Sequence, residues 1–245
     1  MNDKLQQIDT LLGELNQYRA NENYRITEAL EIEYTYDSNR IEGNTLTLHE
    51  TDMVVNKGIT IAGKGLREHL EAINHKEAID FIKDIAQKKE PISERVLLDI
   101  HAIVLQSIDK DNAGKYRRVP VIISGSKHIP PQPYLLQPQM DELFQWYEAN
   151  KDSMHPVVLA AQMHEKLVSV HPFIDGNGRT ARLLMNLILM QHGYPIANIK
   201  GDNETRRRYY ETLEEASSGD NSAFLEFIEG VVIQSLTYYL KIIRG

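Results

Sequence analysis

Apolar side chains recur three to four positions apart through most of this chain of 245 residues. This spacing places them on one face of an α-helix, whereas a half-buried strand would alternate at every second residue. The pattern predicts helices over residues 93–107, 136–150, 155–169 and 178–192, the first of them capped by Ser93. The chain is therefore expected to be mostly helical, without the parallel sheet of a dinucleotide-binding fold.

One passage, residues 116–129, breaks the helical period. It is rich in β-branched residues, namely Val119, Val121, Ile122 and Ile123. A Gly-Ser pair follows and would form a turn, while Pro120 cannot donate a ladder hydrogen bond and so confines the strand to an edge. The sequence predicts an all-α fold with one short β-hairpin flap.

The charge and cysteine content exclude several classes of protein. The chain carries 27 Lys and Arg against 35 Asp and Glu, a formal net charge of −8, which argues against nucleic-acid binding through phosphates. It has no cysteine, so disulfides and thiol nucleophiles are excluded. The first residues lack a signal-peptide pattern, and no stretch supplies the ~20 consecutive apolar residues of a membrane span. We expect a cytoplasmic protein with neither a membrane nor a nucleic-acid partner.

The segment HPFIDGNGRTAR, residues 171–182, lies between two predicted helices. Its Gly-Asn-Gly run tolerates positive φ just before a helix, where successive backbone N–H groups can turn toward an anion. Arg179 and Arg182 lie three residues apart in the first turn, where cations oppose the helix dipole. Because a polyphosphate would satisfy both guanidiniums and the open amides, the segment predicts a phosphate site.

Two more side chains of this segment suit group transfer. Asp175 is a hard oxygen ligand for a Mg²⁺ that bridges phosphate oxygens. His171, held extended by Pro172, can accept a proton from an attacking hydroxyl near neutral pH. Taken singly, each residue could be a capped histidine or a surface charge, but their convergence favours a phosphoryl- or nucleotidyl-transfer site without a P-loop.

The same segment resembles the signature of the Fic family, HPFx(D/E)GNGRxxR, and matches it at every defined position. The resemblance extends over most of the chain, from the region of Ser38 to Phe227. It implies a Fic catalytic core with C-terminal helices at residues 62–245 and an N-terminal helical extension at residues 1–61. The common reaction of the family is AMPylation, the transfer of AMP from Mg-ATP to a Ser, Thr or Tyr hydroxyl of a target protein.

The resemblance also implies a role for each residue of the segment. His171 would be the base that deprotonates the target hydroxyl, and Asp175 would bind Mg²⁺, the expected cofactor, on the α- and β-phosphates. Arg182 would hold the γ-phosphate of ATP. The other residues expected to bind the nucleotide are Gly176, Asn177, Gly178, Arg179, Thr180, Tyr209, Tyr210 and Ser217. Glycine at position 178 favours AMP transfer, because the kinase-like branch of the family carries lysine there.

Two alternatives stay open. Ser217 stands where the family often has an asparagine near the adenine, so transfer of another group, such as UMP or a phosphoalcohol, is one of them. The other is a regulatory module that binds nucleotide without catalysis, although a pure binder has no need of a base such as His171.

The hairpin gains an expected role from the resemblance. Its edge would pair with a segment of the target protein by β-augmentation and fix the hydroxyl beside His171. The residues expected to form this flap are Ile123, Ser124, Gly125, Ser126, Lys127 and His128. AMPylation of the protein by itself is a further expectation, and a homodimer is left open.

Residues 38–44, SNRIEGN, resemble the inhibitory motif of Fic proteins, (S/T)xxxE(G/N). A motif placed before the core marks the class II branch, in which the inhibitory helix is N-terminal. The resemblance implies that Glu42 pairs with Arg182 and thereby prevents productive ATP binding. In some relatives the same glutamate positions a water that removes AMP from the target, so de-AMPylation is a second expected activity.

Overall fold

The computed structural model describes residues 3–244, which form ten α-helices and two 3-10 turns at Arg19–Asn21 and Pro133–Leu135. The helices are α1 (Asp3–Gln17), α2 (Tyr24–Ile41), α3 (Leu48–Lys57), α4 (Leu66–Lys88), α5 (Glu94–Leu105), α6 (Leu136–Asn150), α7 (Pro156–Val170), α8 (Asn177–Gln191), α9 (Asn203–Ser217) and α10 (Ser222–Arg244). The four helices predicted from apolar spacing are confirmed as α5 to α8, with ends that differ by at most two residues. None of the helices within the described range combines the length and apolar content that a bilayer-spanning segment needs.

Short polar side chains define where helices around the site begin. Ser93 Oγ accepts the N–H of Val96 at 3.4 Å at the start of α5, as the sequence predicts. Asn23 accepts two N–H groups at the start of α2, and Asp202 does the same for α9. Each cap satisfies donors that have no partner inside the helix.

Helix α8 lies at the centre of the bundle and packs against α4, α5 and α7. Its residues 177–189 are all buried except Gly178, whereas a surface helix would bury only one face. Helix α1 lies along α10, and the main hydrophobic core contains residues of both. The predicted domain boundary near residue 61 stays a prediction.

The predicted β-hairpin is wrong. Residues 116–129, called the flap loop below, contain no strand, and neither does any other part of residues 3–244. The backbone turns at Gly125, where φ is 82°, and Ser126 N–H donates to Ile123 O at 3.1 Å. An isolated two-stranded hairpin is only marginally stable. Polar groups of the flap loop are instead bonded to other parts of the molecule, as the site geometry shows.

Candidate active site

The site begins at residues 171–176, called the site loop, which connect α7 to α8. His171 ends α7 with a left-handed φ of 49°, so the extended backbone expected before Pro172 is wrong. Gly176 precedes α8 with φ 79°, a conformation that costs glycine little. Asn177 closes the loop from both sides. Its Nδ2 donates to Phe173 O and its Oδ1 accepts Phe173 N–H, each at 2.9 Å. The protein's own contacts therefore fix the loop.

His101, on α5, supports the site loop and is not singled out by the sequence analysis. Its ring stacks on Phe173 with centroids 3.6 Å apart. Nε2 donates to Asp175 O at 3.0 Å, and Nδ1 accepts Gly114 N–H at 3.0 Å. Burial lowers its pKa from 6.5 to about 4, so the ring stays neutral with one donor and one acceptor. The available signal is a histidine on the apolar face of the helix predicted at residues 93–107.

His171 is oriented by backbone contacts at the end of α7. Nδ1 lies 3.3 Å from Val168 O, and donation of that hydrogen leaves the lone pair of Nε2 free to accept a proton. Burial lowers the pKa of His171 from 6.5 to about 4, so the ring is neutral at pH 7. Arg117 Nε donates to His171 O at 2.9 Å and thereby attaches the flap loop to the site loop.

Asp175 presents an ionised carboxylate at the start of α8. Its Oδ1 accepts Gly176 N–H at 2.6 Å and lies 3.3 Å from Arg179 Nη2, while Oδ2 contacts Arg67 Nη2. Burial raises the pKa of Asp175, but Arg179, the Gly176 N–H and Arg67 together lower it below its usual value. The side chain is therefore charged at neutral pH, as a ligand for a cation must be.

The donor set at Asp175 fits a magnesium ion that shares its ligands with a nucleotide. Within residues 3–244, no cluster of three His, Asp or Glu side chains could hold a metal ion by itself. Mg²⁺ commonly takes one or two protein carboxylates and completes its octahedron with phosphate oxygens and water. Asp175, beside the positive end of α8, can supply that single carboxylate.

Arg182 is buried and has a partner at each guanidinium nitrogen. Its side chain is 1% exposed, and Nη2 lies 2.7 Å from Glu42 Oε1. Nη2 also donates to Ser38 O at 2.9 Å, Nε to Ser38 Oγ at 3.0 Å, and Nη1 to Tyr209 OH at 3.3 Å. Burial lowers the pKa of Arg182, but the charge of Glu42 acts in the opposite direction, and the pKa is raised overall. Ser38 and Glu42, at the end of α2, thus meet on one guanidinium.

The Glu42 carboxylate lies over the first turn of α8. A Cβ added to Gly178 would be 2.3 Å from Glu42 Oε1, so the carboxylate fills the space that this glycine leaves. The positive end of a helix stabilises a carboxylate there. An anion that approached the same N–H groups and Arg182 would therefore meet Glu42 first.

Arg179 differs from Arg182 in having unused donors. Its side chain is 2% exposed, and Nη1 lies 3.7 Å from Glu71 Oε1. Nη2 contacts Asp175, but Nε and Nη1 have no hydrogen-bond partner within the described residues. Because a buried donor without a partner costs free energy, this guanidinium is suited to an anionic ligand.

The remaining predicted nucleotide-binding residues fall into two groups. Thr180 and Tyr209 are buried behind the start of α8, and the Thr180 hydroxyl has no hydrogen-bond partner within the described residues. Tyr210 is 42% exposed, and its hydroxyl donates to the last carbonyl of α2 at 3.1 Å. Ser217 ends α9, where its Oγ donates to Glu214 O at 2.8 Å. Tyr209 thus contacts Arg182, whereas the Ser217 hydroxyl is hydrogen-bonded within its own helix.

The flap residues contact α9 and the end of α7. Glu214 accepts Lys127 N–H at 2.8 Å and also contacts the Ser126 hydroxyl. His128 Nε2 lies 2.7 Å from Ser169 O, two residues before His171. The flap loop therefore borders the site although it forms no hairpin.

Comparison with known proteins identifies related sequences. The model of the Fic/DOC family matches residues 91–189. The chain is 39% identical over 210 residues to a Nematostella vectensis protein named Protein adenylyltransferase Fic. The aligned residues make up 85% of this chain and 48% of that protein. A Culex quinquefasciatus protein of the same name is 39% identical over 211 residues. The chain spans about half the length of the curated relatives it matches.

Solved structures share the fold over nearly the whole chain. A fragment of Fic-1 from C. elegans superposes with a TM-score of 0.87 and 31% identity, covering 98% of this chain and 72% of that one. A Fic domain containing signaling protein from Bacteroides thetaiotaomicron gives a TM-score of 0.88 at 28% identity, covering 99% and 97%. On this evidence, together with the site loop, the chain belongs to the Fic/DOC family.

Proposed function

We propose that this protein is a protein adenylyltransferase that transfers AMP from ATP to a hydroxyl of a target protein and is inhibited by its own Glu42. The names of its curated relatives support the reaction class. The observation that carries the inhibition is the Glu42 carboxylate, 2.7 Å from Arg182 and directly over Gly178. A carboxylate in that place would compete with an anionic ligand for the same donors.

In the proposed reaction the start of α8 holds the phosphates of ATP. Its first-turn N–H groups have no acceptor inside the helix, and the helix dipole favours an anion there. The free donors of Arg179 support phosphate binding, and Arg182 would add its charge once Glu42 leaves. Mg²⁺ bound at Asp175 would supply charge neutralisation on the phosphate oxygens.

His171 is the proposed general base. Its neutral ring accepts the hydroxyl proton at Nε2, and the hydroxyl oxygen forms a bond to the α-phosphorus. The bond between the α-phosphorus and its bridging oxygen breaks, and pyrophosphate leaves. A base placed in this way contributes about 10²- to 10⁴-fold to the rate.

We place the target protein beside the flap loop. Ile122 and Ile129 are 89% and 81% exposed, which supports a contact surface at the edge of the site. The backbone of the loop on either side of the turn at Gly125 belongs to no helix or strand and has no strand partner within residues 3–244. Pairing with a target strand, AMPylation of the protein by itself and a homodimer stay predictions.

A second proposed activity is removal of AMP from the modified target. Burial lowers the pKa of His171, while the charge of Glu42 acts on the same side chain and raises that pKa by less. Glu42 would orient a water toward the phosphorus, and His171 would return a proton to the leaving hydroxyl.

Intact-mass analysis after incubation with Mg-ATP tests the proposal. Glu42→Gly protein should gain AMP about 5- to 150-fold faster than wild type, the range of a coupling worth about 1–3 kcal/mol. Glu28→Gln, an exposed change in α2, the helix that ends just before Glu42, should behave as wild type. Adding His171→Ala to Glu42→Gly should abolish the gain.

Other outcomes separate the alternatives. Equal AMP gain by wild type and Glu42→Gly contradicts the inhibition. Transfer from UTP or a CDP-alcohol but not from ATP reassigns the donor, and nucleotide binding without any transfer indicates a regulatory module. For the second activity, wild type added to AMPylated Glu42→Gly protein should release AMP, whereas His171→Ala should not.

A further inference from the structure

Arg67, on α4, reaches across to the site although no motif includes it. Its side chain is 60% exposed, yet Nη2 contacts Asp175 Oδ2. The two residues are 108 positions apart in the chain. The contact therefore depends on how α4 packs against α8.

Glu71 holds the Arg67 guanidinium in this direction. Its Oε1 accepts from Arg67 Nε at 3.1 Å, one helical turn away. The other oxygen, Oε2, accepts from Asn44 Nδ2 at 3.0 Å. Asn44 lies two residues after Glu42, so the inhibitory segment and Arg67 share one carboxylate partner.

Both oxygens of Asp175 are occupied by the protein's own donors. Oδ1 accepts Gly176 N–H at 2.6 Å and lies on the Arg179 side. Oδ2 contacts Arg67, whose side chain is 60% exposed, and lies 3.4 Å from Arg179 Nη2. A metal ion and a guanidinium are both positive and cannot occupy the same side of one carboxylate oxygen.

We propose that Arg67 gates the metal site by competing with the divalent cation for Asp175 Oδ2. The inference rests on the proposed function, since it assumes that Asp175 binds the cation of Mg-ATP. Arg67 acts through Asp175 and is a positioning residue. In the inhibited protein it pairs with the carboxylate, and it must turn away before the cation binds.

The competition predicts that metal binding improves when Arg67 loses its charge. An exposed ion pair is worth up to about 1 kcal/mol. Its removal should therefore increase the factor by which Mg²⁺ tightens nucleotide binding by about three- to fivefold. A phosphate-binding arginine would behave in the opposite way. Its loss would weaken nucleotide binding whether or not a metal is present.

Calorimetric titration with α,β-methylene ATP, an analogue that blocks AMP transfer, tests the proposal in the Glu42→Gly protein. The quantity measured is the ratio of Kd in EDTA to Kd in Mg²⁺. Arg67→Gln should raise this ratio about three- to fivefold, and Arg67→Lys should leave it near the parent value because the charge is kept. Arg95→Gln, a change at an arginine that is 90% exposed and paired with Asp99 on α5, should also leave it unchanged.

A ratio in Arg67→Gln at or below that of the parent overturns the proposal. An equal loss of affinity in both buffers overturns it as well and reassigns Arg67 to phosphate binding. Failure of the proposed function is detected separately, by the absence of AMP gain in the Glu42→Gly protein. Circular dichroism and the melting temperature show that each variant is folded.

Discussion

The site loop and the flap loop lie side by side, and they are held in different ways. Phe173, in the site loop, is fully buried, and both of its backbone groups are bonded to Asn177. Ile122, in the flap loop, is 89% exposed, and contacts through Arg117 and Glu214 hold that segment. The site loop is thus fixed by buried contacts, whereas the flap loop beside it carries exposed apolar side chains.

Replacement of a buried ring should give the largest difference between the two loops. Phe173→Ala removes a side chain that stacks on His101 and is expected to lower the free energy of unfolding by about 3–5 kcal/mol. Ile122→Ala in the flap loop should change it by less than about 0.5 kcal/mol, because that side chain is already in water. Urea unfolding of both variants measures the two values. Similar losses would show that the loops do not differ in burial.

Acid should weaken the site loop through His101. Burial lowers its pKa from 6.5 to about 4 in the folded state, so the unfolded state binds more protons between those values. The contribution is fully present above pH 6.5 and is lost as the pH falls toward 4. Between pH 7 and pH 5, one such group removes about 1–2 kcal/mol.

Unfolding at pH 7, 6 and 5 measures this loss. Other buried histidines act in the same direction, since burial also lowers the pKa of His164 to about 3. His101→Gln should therefore reduce the pH dependence without abolishing it. An unchanged slope in His101→Gln would mean that this histidine is not kept neutral by the fold.

Loss of the Glu214 charge should have the smallest effect on the whole molecule and a clear local one. Glu214→Gln weakens the hydrogen bonds from the Ser126 hydroxyl and the Lys127 N–H. A loss of about 1 kcal/mol in these bonds corresponds to about a fivefold increase in local opening of the flap loop. Limited trypsin digestion should cut after Lys127 about fivefold faster, with little change in melting temperature. Glu215→Gln, at an exposed neighbour whose nearest cation is Arg208 at 3.9 Å, is the matched control. Equal cleavage of both variants would mean that Glu214 does not hold the flap loop.

The helices could be predicted because their signal is local. Apolar residues three to four apart and the Ser93 cap predict α5 to α8 nearly to the residue. The flap loop was predicted incorrectly because β-branched residues favour a strand only where a partner strand is available. Here Arg117 bonds to His171 O and Glu214 to Lys127 N–H, and neither contact is visible in the sequence pattern.

The sequence by itself determined the helical class, the Gly-Asn-Gly turn into α8 and the residue types of a phosphate site, because each depends on neighbours along the chain. Only the tertiary structure decided what those residues contact. Glu42 contacts Arg182 across 140 positions, a pair that the family resemblance implied but residue spacing did not, and Arg67 contacts Asp175 across 108, a pair that neither implied. Such charge pairs form where helices pack, and side-chain spacing within one helix does not encode the packing between helices. The residues that support the site, His101 and Glu71, become apparent for the same physical reason only in the folded chain.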